Sequence, residues 1–199
     1  MIARGNWVRK LCRFVGAEER EHCDLCGAVI PASHAHLIEV ARRRLLCACA
    51  ACAETAGAAY RRVPLEAHAL PGLDLSDAEW DALGIPIGLA FFVHSTPDGG
   101  PVALYPSPAG AMQSMLSLEG WNDIVARNPV LATLEPDVEA LLINRTDGRR
   151  EYFRAPIDHC FALTGLIRRH WQGLAGGSEV WQAASHFFDA LRTGEMRHG

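Results

Sequence analysis

Apolar positions along the chain fall into short runs with two periodicities, and Gly, Pro, Asn and Asp mark the breaks between them. Residues 28–30 and 36–40 read as short strands, and 43–46 leads into a cysteine-rich stretch. Residues 53–62, rich in Ala and closed by Tyr60-Arg61-Arg62, suit a helix, after which Val63-Pro64 and Pro71-Gly72 interrupt the pattern. Ser76 opens a helix over 76–83, with Glu79 at capping-box spacing. Residues 85–94 form a long β-type run, Pro97-Asp98-Gly99-Gly100 is a turn, and 102–105 returns as the partner strand. After Pro106-Ser107-Pro108-Ala109-Gly110, residues 118–126 show helical spacing around Trp121 and Ile124, stopped by Asn128-Pro129. Residues 138–144 and 151–154 make a second hairpin about Thr146-Asp147-Gly148. Two helices, 157–171 and 178–191, finish the pattern, joined by residues 173–177 with Ser178 as N-cap. Two hairpins, each followed by helix, predict an α+β fold. It comprises a small module over 1–63 and an antiparallel-sheet domain with two C-terminal helices over 73–199.

Composition sharpens that division. The 199 residues are 49% hydrophobic and 21% charged with a net charge of −4, which excludes a disordered chain. No apolar run reaches the length of a membrane span, and residues 1–14 are basic without the apolar core of a secretory signal. A soluble cytoplasmic protein is therefore expected. Residues 1–63 carry ten basic against six acidic residues and the rest nine against seventeen, so the −4 is +4 beside −8. All but Lys10 of the basic residues are Arg. Such usage suits phosphate or carboxylate recognition, and equally a GC-rich coding sequence.

Cysteine changes the picture most. Five of the seven lie between 23 and 52, while Cys12 and Cys160 stand apart. An odd number without a secretory signal argues for metal rather than a disulfide framework. Cys23-Asp24-Leu25-Cys26-Gly27 has zinc-knuckle spacing, and Cys49 and Cys52 form a second C-x2-C pair, giving a zinc-ribbon-like C-x2-C-x22-C-x2-C frame. Cys47 could replace Cys49 or be a buried thiol. His34 and His36 share one face of a strand and could both point towards the metal, or be ordinary strand histidines. Zinc is the expected ion, with iron or an iron–sulfur cluster as the alternative. Arg42, Arg43 and Arg44 could offset the thiolate charge, or form a solvated basic face. Four Cys close the site, which marks it as structural. A nucleic-acid role is not expected, because the basic cluster lacks aromatic interleaving and the chain is acidic.

No catalytic constellation emerges from residues 73–199. Asp158-His159-Cys160 are adjacent on a helix and fan apart, so a helix start with a buried thiol is the simpler reading. Ser107 lies between prolines rather than in a nucleophile elbow, and Gly173 to Gly177 lacks the lysine of a phosphate loop. Trp80, Trp121, Trp171 and Trp181 fall in helical segments and read as core.

Several segments together resemble a known group. They are Cys23-Asp-Leu-Cys26-Gly27 with His34-Ala-His36, Leu46-Cys47-Ala-Cys49-Ala-Ala-Cys52, the run from Ile85 to Phe92, Tyr105-Pro-Ser-Pro-Ala-Gly110, Pro136-Asp-Val-Glu-Ala-Leu-Leu142, and Gly176-Gly177-Ser-Glu-Val-Trp181. Over residues 20–192 the chain resembles an uncharacterised bacterial family, mainly actinobacterial, encoded beside NiFe uptake hydrogenases. The resemblance implies a role in maturation, assembly or electron supply of such a hydrogenase, with a hydrogenase subunit or maturation factor as partner. The combined expectation is a non-enzymatic accessory protein with a structural zinc site. An iron-binding electron-transfer partner is the alternative.

Overall fold

The structure, a computed structural model, describes residues 21–114, 120–173 and 176–196. Near its start, β1 (Ala35–Glu39) and β2 (Arg44–Ala48) form an antiparallel hairpin across a 3-10 turn at Val40–Arg42, with Arg43 left-handed. β3 (Tyr60–Arg62) pairs with the free edge of β1, giving a three-stranded sheet in the order β2-β1-β3. The segment 53–62, expected to be one helix, is thus divided. α1 (Ala50–Thr55) ends early, and a turn with the Tyr60 N–H on the Gly57 carbonyl (2.9 Å) reverses the chain. Tyr60-Arg61-Arg62 then satisfies backbone groups that β1 would otherwise leave open. Of the strand expected at 28–30, Val29 alone bridges, to His22.

The larger sheet has six antiparallel strands in the order β4-β9-β8-β5-β6-β7. β5 (Leu89–Ser95), β6 (Gly100–Ser107), β8 (Glu139–Asn144) and β9 (Glu151–Pro156) are the two expected hairpins. β7 (Gly110–Gln113) and β4 (His68–Ala69) were not evident from the pattern. β4 comes from the stretch between the two expected domains and pairs with β9 at the sheet's edge. Both strands are short, which leaves little periodicity to read.

Alternation in the central strands sends side chains to two cores. Leu89, Phe91, Val93, Ala140, Leu142, Phe153 and Ala155 face α4 (Ile157–His170) and α5 (Gly177–Thr193), packing on Leu163, Ile167, Val180 and Phe188. Ala90, Phe92, Leu141, Ile143 and Tyr152 face the other way, onto α2 (Asp77–Ala82), α3 (Trp121–Arg127) and the loops around them, including Leu75, Leu83, Ile124 and Leu131. With both faces covered, β5 and β8 read as near-continuous apolar runs. The Ser76 capping box forms in both directions, Glu79 N–H to Ser76 Oγ and Ser76 N–H to Glu79 Oε2. At α5 the cap is Gly176 rather than Ser178; its φ of +87° suits glycine, and its carbonyl accepts from Gln172 N–H.

The face of β1 and β2 turned away from α1 carries Ile38 and Leu45 into the same core as α4. The opposite face, with Leu37, Leu46 and Ala48, forms a small separate core with Cys23 and Ile30.

Candidate metal centre

The first knuckle is a tight turn. Cys23 N–H donates to the Ala28 carbonyl and Gly27 N–H to the Cys23 carbonyl, both at 2.8 Å, with Gly27 at φ +75°. The second is a helix start, where Cys49 is the N-cap of α1 and its Sγ accepts from Cys52 N–H at 3.4 Å. Asp24 docks one knuckle on the hairpin that carries the other. Its N–H donates to the Cys47 carbonyl (2.9 Å) while its Oδ2 accepts from Cys47 N–H (2.7 Å). Sequence reasoning missed this role, since a carboxylate inside a C-x2-C loop carries no signal of what it will face.

The outcome is that the Sγ atoms of Cys23, Cys26, Cys49 and Cys52 all lie within 4.8 Å of one another. The Cys26–Cys49 separation is 3.8 Å. Metal–sulfur bonds of about 2.3 Å in a tetrahedron place two sulfurs about 3.8 Å apart, so the set fits one ion. Electrostatics point the same way. Burial pushes the Cys23 thiol up, but backbone N–H groups of Cys49, Leu25 and Cys26 outweigh it and bring its pKa to about 6. Cys52, crowded by the sulfurs of Cys49 and Cys26, is pushed up to about 12. One thiolate forms readily and the last resists, as expected where four negative charges crowd one position that a cation would neutralise.

Cys47, His34 and His36 gather elsewhere. In the register of the hairpin Cys47 stands directly opposite His36 and packs at the margin of the small core, while His34 lies two residues before His36, just outside β1. His34, His36 and Cys47 bring one ligand atom each within 4.8 Å of one another. The two Nε2 atoms are 3.2 Å apart, with the rings nearly perpendicular. His34 Nδ1 lies 2.9 Å from the Pro31 carbonyl and 3.2 Å from Glu21 Oε2; His36 Nδ1 lies 2.7 Å from Asp158 Oδ2. Burial, with the Asp24 and Glu21 carboxylates, holds the Cys47 thiol above its ordinary range. Asp158 comes from the first turn of α4, and its other oxygen accepts from His159 N–H at 2.8 Å. A contact spanning 122 residues could not be read from the sequence.

Cys160 belongs to neither group. It is fully buried, and burial with nearby Asp158 raises its thiol well above the usual range, as suits an inert core residue. Cys12 falls outside the described residues. The arginines do not face the sulfurs. Arg42 and Arg44 pair with Glu39, and Arg43 pairs with Asp98, at the far end of the hairpin. Among the described residues no helix is long and apolar enough to cross a membrane.

No curated protein and no solved structure matches the chain. One sequence family does, over residues 22–195, which takes in both groups of donors and nearly all of the sheet and helices. The chain belongs to this family, described as a family of unknown function (DUF5947).

Proposed function

We propose that Cys23, Cys26, Cys49 and Cys52 hold a single structural zinc ion, and that the protein is a non-enzymatic accessory factor working by protein–protein binding. The observation that carries this reading is closure of the donor set. Four sulfurs around one position leave no coordination site for water or substrate. They are also too close together to suit a multi-iron cluster, in which thiolates are shared among several irons. The ion would stiffen a knuckle whose tip presents Leu25 and Val29, 38% and 56% exposed, to a partner. The partner we infer, on the resemblance to a family encoded beside hydrogenases, is a NiFe hydrogenase subunit or maturation factor, met in the cytoplasm.

Metal analysis of the purified chain, with co-purification of hydrogenase subunits, tests the proposal. Expected are a colourless four-thiolate centre holding zinc, and a partner complex lost in a Leu25→Asp, Val29→Asp double variant that still binds the metal. A second reading has one observation in its favour: N–H groups directed at sulfur suit a single iron as well as zinc. A red protein with thiolate-to-iron absorption would replace the structural zinc by a rubredoxin-like electron carrier.

A further inference from the structure

His34, His36 and Cys47 bring three metal-ligating atoms within 4.8 Å of one another at the start of the first hairpin. Cross-strand register sets Cys47 opposite His36, and His34, just before β1, brings its ring edge-on to that of His36 with centroids 4.8 Å apart. The side chains of His34 and His36 are only 2% and 11% exposed. Each ring is oriented from behind. The Pro31 carbonyl can only accept, so neutral His34 carries its hydrogen on Nδ1, and the Asp158 carboxylate places the hydrogen of His36 likewise. Both Nε2 atoms then present lone pairs to each other at 3.2 Å. Two lone pairs at that distance need either a shared proton or a metal ion between them. With metal–nitrogen bonds of about 2.0–2.1 Å, a tetrahedral ion holds two imidazole nitrogens about 3.3 Å apart. An Nδ1–H bonded to a carboxylate or carbonyl, with Nε2 turned to the ion, is how metal-binding histidines are held.

We propose that His34, His36 and Cys47 form a second metal centre, which takes one divalent first-row transition ion of borderline softness and keeps its fourth position open. Two imidazoles and a thiolate select that class of ion. Binding displaces the Cys47 thiol proton, and any proton shared between the two Nε2 atoms, to solvent. Three protein donors leave one position for water or a small exogenous ligand, in contrast to the closed set of four cysteines. Asp158 is the positioning residue, and because it belongs to α4 the ion would join the N-terminal sheet to the large one.

The test uses the full chain, stripped by chelator and titrated with Zn²⁺ or Co²⁺ alone. Two equivalents are expected. The cobalt spectrum should contain a four-thiolate component and a second with much weaker sulfur-to-metal charge transfer. Cys47→Ser and His34→Gln should each remove the second component alone, while Cys23→Ser should disturb the first. Asp158→Ala should weaken the second ion by about 10–100-fold and leave the first unchanged. Saturation of the unaltered chain at one equivalent bearing only the four-thiolate spectrum would overturn the proposal and assign the Nε2 pair a shared proton. Two equivalents retained in Cys47→Ser would overturn it as well. The titration of the unaltered chain needs no variant to fold. Loss of the four-thiolate component alone would count against the structural zinc and leave this centre standing.

Discussion

Asp24 decides more than its place inside a knuckle suggests. Its carboxylate accepts the Cys47 N–H and its own N–H reaches the Cys47 carbonyl, so it joins the first pair of cysteines to the strand that ends at the second. Replacing it with Ala leaves the backbone bond but strips the Cys47 N–H of its partner, at a cost of about 1 kcal/mol. Metal binding and folding are one process in so small a core, so the loss is expected as an approximately fivefold weaker hold on the metal in chelator competition. Asp24→Asn keeps an accepting oxygen and should restore most of it. An equal loss in both variants would count against the clamp. At this scale the sequence was informative wherever spacing is local. The two C-x2-C pairs converge as their intervals suggest, and the rings of His34 and His36 do meet, although His34 stands just before β1 rather than in it. What could not be read was Cys47 opposite His36, which depends on hairpin register, or Asp158 behind it, which depends on tertiary packing.

At the scale of elements, the long patterns were legible and the short ones were not. β5, β8, α4 and α5 lie where apolar runs and helical periods put them. β3 was hidden because its three residues have no period, and an Ala-rich approach favours helix until an open strand edge competes for the chain. Gly88, at the entrance to β5, shows how closely the elements meet. Its carbonyl accepts from Arg145 N–H at 2.6 Å, and a Cβ there would stand 2.9 Å from the Arg145 carbonyl carbon and Thr146 N. Backbone cannot swing aside as a side chain can, so Gly88→Ala should destabilise by about 1–3 kcal/mol. The expected readout is a lower urea midpoint at unchanged slope. Gly72→Ala, where a Cβ meets nothing within 4 Å, is the control and should leave the midpoint in place. Equal behaviour of the two would mean that the β5–β8 junction yields more readily than its geometry suggests.

Across the whole molecule, a few polar contacts among the described residues join the N-terminal sheet to the rest. Arg43 pairs with Asp98, Arg61 lies 3.3 Å from Asp137, and His36 meets Asp158. The exposed ends of such pairs add little stability but fix how the parts meet. Apolar packing crosses the same boundary, since Ile38 and Val63 are buried in the core shared with α4. We propose that residues 1–63 and 73–199 are nevertheless distinct in what sustains them. Among the described residues, the separate interior of the first rests on Cys23, Ile30, Leu37, Leu46 and Ala48, too few to offset the entropy of ordering the segment without metal, whereas the large sheet is covered on both faces. Chelation should therefore raise amide exchange throughout β1, β2 and β3 first, while β5 and β8 stay protected. Exchange should also rise modestly near Ile157, where the N-terminal sheet no longer covers the core. If β5 and β8 lost protection together with β1, metal loss would be acting on one cooperative unit, and the N-terminal sheet would be part of the large domain's core rather than a metal-dependent module docked on it.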